Sequence, residues 1–194
     1  MCMESKKYMQ RELPCGVLSV FKHTILFVII LLNLVPYSTN AQSIENRYRC
    51  HIDRDGVTYF FCPKKIKCNV NIDMFSYDMT CHTKCDSVIL NFTIFVNDLV
   101  KVKGLSLVCG NGCEFKGNGV GTLFADIVGK KYEIRTTTKF SFADICTIFS
   151  QNDPLSFHMY FDNGVDEMAA YTLGLWKKDS NLITRILDLI NSQR

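Results

Sequence analysis

Apolar and polar residues alternate along much of the chain after residue 87. The clearest stretch has apolar residues at every second position, namely Val88, Leu90, Phe92, Ile94 and Val96. Polar Asn91 and Thr93 lie between them. Because successive side chains of a strand point to opposite faces, this alternation predicts a β-strand with one buried face.

Further alternating stretches predict an antiparallel meander. Gly129-Lys130 separates two of them and predicts a hairpin turn, and Asp162-Asn163-Gly164 predicts another. Gly104 lies where the alternation changes phase, which is typical of a β-bulge. Phe140 and Phe142 continue the alternation of the strand before them. Strands are expected at residues 57–62, 68–72, 88–96, 100–109, 122–128, 132–138, 155–161 and 168–176.

The last residues of the chain have a different periodicity. Ser180 can cap a helix that starts at Asn181. Apolar residues then recur at three-to-four spacing: Leu182, Ile183, Ile186, Leu189 and Ile190. So short a helix is marginal alone, so we expect it to dock on the sheets, with a membrane surface or a partner as the alternative.

An apolar run near the start of the chain has the length of a secretory signal. Residues 25–35 are almost wholly apolar, follow Lys22, and precede a proline and small polar residues. A membrane-spanning helix needs about 20 apolar residues. We therefore predict a signal peptide over residues 1–41, with an uncleaved anchor as the alternative. Residues 42–194 are then one secreted domain without a stable membrane span.

Eight cysteines remain beyond this leader: Cys50, Cys62, Cys68, Cys81, Cys85, Cys109, Cys113 and Cys146. An even number behind a secretory leader predicts a disulfide framework. Cys81 and Cys85 enclose three residues, as do Cys109 and Cys113, so both pairs are expected to close locally. A zinc site on Cys81, His82 and Cys85 is disfavoured, because zinc ligands usually come as CxxC pairs in a reducing compartment. We expect neither a metal nor a cofactor.

Asn91-Phe92-Thr93 is a sequon for N-linked glycosylation. The alternation independently puts Asn91 on the less apolar face of its strand, where a glycan can be accommodated. We therefore predict that Asn91 is glycosylated.

Charge and motifs argue against two classes of function. Residues 42–194 carry 18 basic and 17 acidic residues, whereas a nucleic-acid-binding protein normally has a basic excess. The sequence has no nucleophile elbow, phosphate-binding loop or His-Glu-x-x-His pair. His51, His82 and His158 show no arrangement with a nucleophile. We expect neither a nucleic-acid partner nor enzymatic activity.

The order of several features resembles a known family. They are, in sequence, early cysteines, the Cys81/Cys85 pair, the Asn91 sequon within a strand, the Cys109/Cys113 pair, Gly129-Lys130-Lys131-Tyr132 at a strand start, and a hairpin from residues 155–161 into the last strand. Over residues 48–176 this order resembles the lipid-recognition family of ganglioside-activator and sterol-transfer proteins. The resemblance implies a secreted β-sandwich, immunoglobulin-like in arrangement, that holds a lipid between its sheets.

Two functions are compatible with a mainly all-β, antiparallel, disulfide-stapled sandwich that ends in a short helix. The first is a carrier or presenter of a lipid or another apolar small molecule. Its pocket would be lined from the alternating faces by Phe92, Ile94, Phe140, Phe142, Phe157, Met159 and Phe161. The alternative is a solid sandwich that binds an extracellular protein through loops at residues 110–121 and 63–67. Both need the same apolar residues, so the sequence does not choose between them.

Overall fold

The computed structural model describes residues 46–68, 72–164 and 166–194. The signal peptide expected over residues 1–41 lies outside the described residues, and so does most of the strand expected at 68–72. The described part contains eleven strands and two helices. They are β1 Tyr48–Asp53, β2 Gly56–Phe61, β3 Lys64–Ile66, β4 Met74–His82, β5 Ser87–Val96, β6 Val102–Val108, β7 Glu114–Lys116, β8 Asn118–Val128, β9 Lys131–Ser141, α1 Phe142–Phe149, β10 Ser156–Phe161, β11 Asp166–Ala170 and α2 Leu173–Asn191.

The strands form two antiparallel sheets, which confirms the mainly β, antiparallel prediction. Sheet A has the order β1-β2-β4-β5-β9-β8, with β3 paired to β4. Sheet B has the order β11-β10-β6-β7. Phe75 of sheet A contacts Phe157 of sheet B with ring centroids 4.8 Å apart, so side chains from the two sheets meet in one core.

Strand β4 shows most clearly how alternation builds this core. Phe75, Tyr77, Met79 and Cys81 are buried, and the residues between them are half-buried on the outer face. Strands β1 and β4 are not among the predicted strands, because residues 42–87 are rich in cysteine and alternate less regularly than the residues after 87.

Several local predictions are confirmed. A register shift between β6 and β10 leaves Lys103 unpaired beside Gly104, which is the expected bulge. Strands β8 and β9 turn at Gly129, whose φ of 67° suits glycine. Residues 162–164 connect β10 to β11.

Helix α1 corrects the prediction that Phe142 continues a strand. Strand β9 ends at Ser141, whose hydroxyl accepts a hydrogen bond from the backbone N–H of Asp144 at 3.0 Å. Serine in this position satisfies an N–H that the first turn of a helix leaves without a partner. Phe142 is therefore the first residue of a helix, and the alternation ends at Phe140.

Helix α2 corrects two further predictions. The strand expected to reach Trp176 ends at Ala170, and the helix begins at Leu173 rather than at Asn181. Thr172 is its N-cap, whereas Ser180 lies buried inside it. Trp176 fixes this arrangement, because its ring stacks on Phe149 at 5.4 Å between centroids.

No helix in the described ranges is long and apolar enough to cross a membrane.

Two segments expected to be loops contain strands. The basic segment at residues 63–67 includes β3, which pairs with β4 and buries Ile66. The glycine-rich segment at residues 110–121 includes β7 and the start of β8. Backbone pairing, which composition alone does not show, explains both differences.

Candidate functional site

The seven residues predicted to line a lipid pocket are all buried in this structure. Phe92, Ile94, Phe157 and Met159 have 0% exposed surface, and the others follow closely: Phe140 2%, Phe142 6% and Phe161 7%. A water-sized space beside a side chain would leave it some accessible surface, so no such space touches the first four. Phe142 lies in α1 rather than on a strand, with the Arg194 guanidinium 4.2 Å from its ring centroid. Phe161 borders an open cleft of about 210 Å³ at one end of the sheets.

The eight cysteines of the predicted framework are free thiols in this structure: Cys50, Cys62, Cys68, Cys81, Cys85, Cys109, Cys113 and Cys146. Each of the two local pairs lies at one turn. The Cys109 N–H donates to the Cys113 carbonyl at 2.9 Å, and the Cys85 N–H donates to the His82 carbonyl at 3.1 Å. Burial raises the pKa of Cys81 from 9.0 to about 12. The disulfide framework stays a prediction.

The three histidines of the described residues lie on different strands. His51 is on β1, and His82 ends β4, where its Nδ1 accepts a hydrogen bond from the Lys84 N–H at 3.1 Å. His158 is on β10 in the other sheet, directly opposite Ser106. Over the described ranges, no group of three or more His, Cys, Asp or Glu side chains could hold a metal ion.

The sequon lies in a polar cluster on the outer face of sheet A. Asn91 Nδ2 donates to Asp78 Oδ1 at 2.9 Å. Arg135 donates to Asp78 Oδ2 at 2.6 Å and to Thr93 Oγ1 at 3.0 Å. Asn91 thus lies on the less apolar face, as the alternation predicts, since its neighbour Phe92 is fully buried. Glycosylation itself stays a prediction.

A buried polar network connects α2 to sheet A, and the sequence analysis did not find it. Lys64 Nζ of β3 lies 2.9 Å from Oδ1 and 2.8 Å from Oδ2 of Asp179, which is 3% exposed. The hydroxyl oxygens of Tyr77 and Tyr171 lie 2.6 Å apart beside this ion pair. Burial, then the neighbouring Tyr77 and Asp179, raise the pKa of Tyr171. The sequence feature that could have indicated this network is Asp179, a charged residue on the apolar stripe of α2.

A small cavity borders this network. It has a volume of about 30 Å³ and is lined by side chains from β2, β3, β4 and α2, among them Lys64, Tyr77 and Asp179. Such a volume suits a water molecule rather than an organic ligand. The network therefore fixes the position of α2 and does not form a substrate pocket.

Exposed apolar side chains are concentrated on β8, one of the two edge strands of sheet A. Ten large apolar side chains are exposed in the described part of the chain, and four of them fall within residues 123–128. We call these four residues the β8 edge: Leu123 (54% exposed), Phe124 (43%), Ile127 (64%) and Val128 (48%). The sequence indicates this exposure through two adjacent apolar pairs, Leu123-Phe124 and Ile127-Val128, where a half-buried strand would alternate apolar and polar residues.

Strand pairing shows why the β8 edge is open to solvent. Phe124 lies opposite Arg135 on the outer face of sheet A, whereas Ile127 lies opposite Tyr132 on the inner face. Apolar groups are therefore exposed on both faces of one strand. Within the described residues β8 pairs with β9 alone, so its other side presents backbone N–H and C=O groups. The N–H of Ile127 donates to Asp126 Oδ1 at 2.7 Å. Asp126 is the single charged residue of β8.

Comparison with known proteins adds no family: no family model, curated protein or solved structure matches the chain.

Proposed function

We propose that the protein is a secreted, non-enzymatic interaction module that binds an extended segment of another protein along the β8 edge. The observation that carries this proposal is the concentration of exposed apolar side chains on an edge strand whose outer side pairs with no other strand among residues 46–68, 72–164 and 166–194. Natural proteins usually protect such an edge with lysine, proline or a covering helix. Strand β8 has an irregular register up to Phe124 and one charged residue, Asp126, but no lysine or proline. Its last residues, from Phe124 to Val128, pair regularly with β9 and are suited to strand addition, in which backbone hydrogen bonds give affinity and side chains give specificity.

The β8 edge also indicates the chemistry of its partner. Apolar residues of an added strand would cover Phe124 on one face and Ile127 on the other, because successive side chains alternate. A lysine or arginine across from Asp126 would pair with the single charge of β8. The expected partner segment is therefore extended and apolar, with one basic residue near its centre.

Selection from random peptides long enough to cover β8 tests this proposal. We expect enriched peptides to alternate apolar residues around a basic one, and Ile127→Arg to weaken their binding by about tenfold or more. Leu99→Arg is the matched control, because Leu99 is 62% exposed but lies outside β8. Equal losses in both variants, or no enriched peptide, would refute the proposal.

The lipid-carrier hypothesis needs the two sheets to separate, because the side chains that would line its pocket have little or no exposed surface. Native mass spectrometry of the protein secreted from eukaryotic cells tests it together with the secretory predictions. A mature mass starting at Gln42, a deficit of eight hydrogens for the eight cysteines and one glycan on Asn91 are the expected framework. An additional mass from a non-covalently bound lipid would support the carrier hypothesis over the interaction-module proposal.

A further inference from the structure

A second candidate site is a cleft on the outer face of sheet B, lined by none of the residues of the β8 edge. It is open, has a volume of about 360 Å³, and is lined by Lys103, Gly104, Leu105, Ser106, Lys116, Gly117 and Tyr160. These residues come from β6, β7 and β10, together with the turn after β7. We call it the Tyr160 cleft.

The ring of Tyr160 forms the floor of this cleft. It lies against Gly104, where an added Cβ would come within 3.0 Å of Tyr160 Cδ2. Glycine therefore lets the ring lie close to the backbone of β6. The Tyr160 hydroxyl donates to Glu114 Oε1 at 3.1 Å, so the ring spans the sheet from β10 to β7. The side chain of Tyr160 is half-buried and lines the cleft, so part of its surface is accessible to a ligand.

Two lysines give the cleft its positive charge. Lys103 is the bulged residue of β6, and the bulge turns it onto the same face as Gly104. Lys116 lies directly opposite Ser106 on the neighbouring strand. Neither lysine forms an ion pair within the described part of the chain. Lys116 lies opposite Ser106, three positions after Lys103, so the Cα atoms of the two lysines are about 10 Å apart along the strand direction.

Glu114 does not line the cleft, but it lies beside it, because its carboxylate accepts the hydrogen bond from the Tyr160 hydroxyl at 3.1 Å. Hydrogen bonds from Ser106, which is 1% exposed, and from Tyr160 lower its pKa, so it stays ionised at neutral pH. A bare sulfate or phosphate ion would be repelled by this carboxylate. A ligand with hydroxyl groups as well as acidic groups can donate to Glu114 and pair with the lysines.

We propose that the Tyr160 cleft binds an acidic oligosaccharide. A sugar ring would stack its C–H face on Tyr160, since the negative face of an aromatic ring attracts such polarised hydrogens. Its hydroxyl groups would donate to Glu114, and its sulfate or carboxylate groups would pair with Lys103 and Lys116. The separation of the lysines favours a chain of sugars over a single ion.

Calorimetric titration with a heparin-derived hexasaccharide tests this proposal, with a neutral glucose hexasaccharide and inorganic sulfate as comparison ligands. We expect the acidic hexasaccharide to bind tightest and the double variant Lys103→Gln/Lys116→Gln to weaken it by about tenfold or more. The control Lys65→Gln/Lys177→Gln removes the same charge from exposed sites outside the cleft and should retain most of the affinity. Tyr160→Phe keeps the ring and should retain stacking while losing the bond to Glu114.

Three outcomes would overturn the proposal. They are no binding of the acidic hexasaccharide, equal losses in the two double variants, and sulfate binding as tight as that of the hexasaccharide. All substituted lysines are exposed, so folding of the variants is not expected to limit the experiment.

Discussion

Tyr77 of β4 and Tyr171, two residues before the start of α2, place their hydroxyl oxygens 2.6 Å apart in the buried core. One hydroxyl donates and the other accepts, so each satisfies the other where water is excluded. This contact and the Lys64–Asp179 ion pair beside it hold the C-terminal helix on sheet A.

The tyrosine pair predicts a non-additive effect on stability. Tyr171→Phe leaves the buried Tyr77 hydroxyl without its partner, whereas Tyr77→Phe leaves the Tyr171 hydroxyl with the Asp179 carboxylate alone. Each should lower the free energy of unfolding by about 1–3 kcal/mol, with the larger loss for Tyr171→Phe. The double variant removes both hydroxyls and should lose less than the sum of the single losses. Urea unfolding measures all three. Additive losses would mean that the two hydroxyls do not interact.

The ion pair between Lys64 and Asp179 predicts an asymmetric result. The Asp179 side chain is 4% exposed, and that of Lys64 is 23% exposed. Lys64→Met leaves a buried carboxylate without its partner and should cost about 3–5 kcal/mol of unfolding free energy. Asp179→Asn should lower the free energy of unfolding by less than Lys64→Met does, because the flexible Lys64 side chain can extend its ammonium group toward water. The reverse order in thermal or urea unfolding would contradict this assignment.

Gly117 predicts a packing effect that a matched glycine does not share. A Cβ at Gly117 would lie 2.4 Å from Thr138 Oγ1 and 3.1 Å from Phe140 Cζ, whereas one at Gly121 would lie 3.8 Å from its nearest neighbour. Gly117→Ala should therefore destabilise the fold by about 1–3 kcal/mol. Gly121→Ala should have little effect. Similar unfolding midpoints for the two variants would show that the turn after β7 is not so tightly packed.

Cys81 predicts a loss of stability at alkaline pH. Burial raises its pKa in the folded protein to about 12 from an ordinary value of 9.0, so the unfolded chain releases the proton first. In reduced protein its contribution is fully present below pH 9.0 and falls as the pH rises toward 12. Wild type should lose more stability than Cys81→Ala over this range. Parallel pH profiles of the two proteins would contradict the burial of this thiol.

Periodicity predicted the parts of the fold in which local pattern and tertiary environment agree. Val88 to Val96 alternate and form β5, and Gly129 turns the β8–β9 hairpin. The start of α2 could not be recognised from alternation, because Leu173, Leu175 and the residues before them fit a strand equally well. What decides for the helix is the docking of Trp176 on Phe149, a contact between residues distant in sequence.

The candidate sites were harder to predict than the strands. The apolar residues proposed for a pocket are core residues here, because facing sheets fill the space between them with the same side chains that would line a cavity. The β8 edge and the Tyr160 cleft depend on which strand is outermost and where a bulge turns a lysine. Strand order is a property of the whole chain, so neither site has a local motif. The resemblance to lipid-recognition proteins and its immunoglobulin-like arrangement stay predictions.

The position of Asn91 sets a steric condition on any partner of β8. Asn91 lies opposite Thr137, which lies opposite Gly121, so the sequon is two strands, or about 10 Å, from the edge on the outer face of sheet A. A glycan on Asn91 would crowd the approach to Phe124 and leave the side of Ile127 open. Glycosylation of Asn91 would then exclude partners that extend over the outer face of sheet A and would permit partners that extend over its inner side.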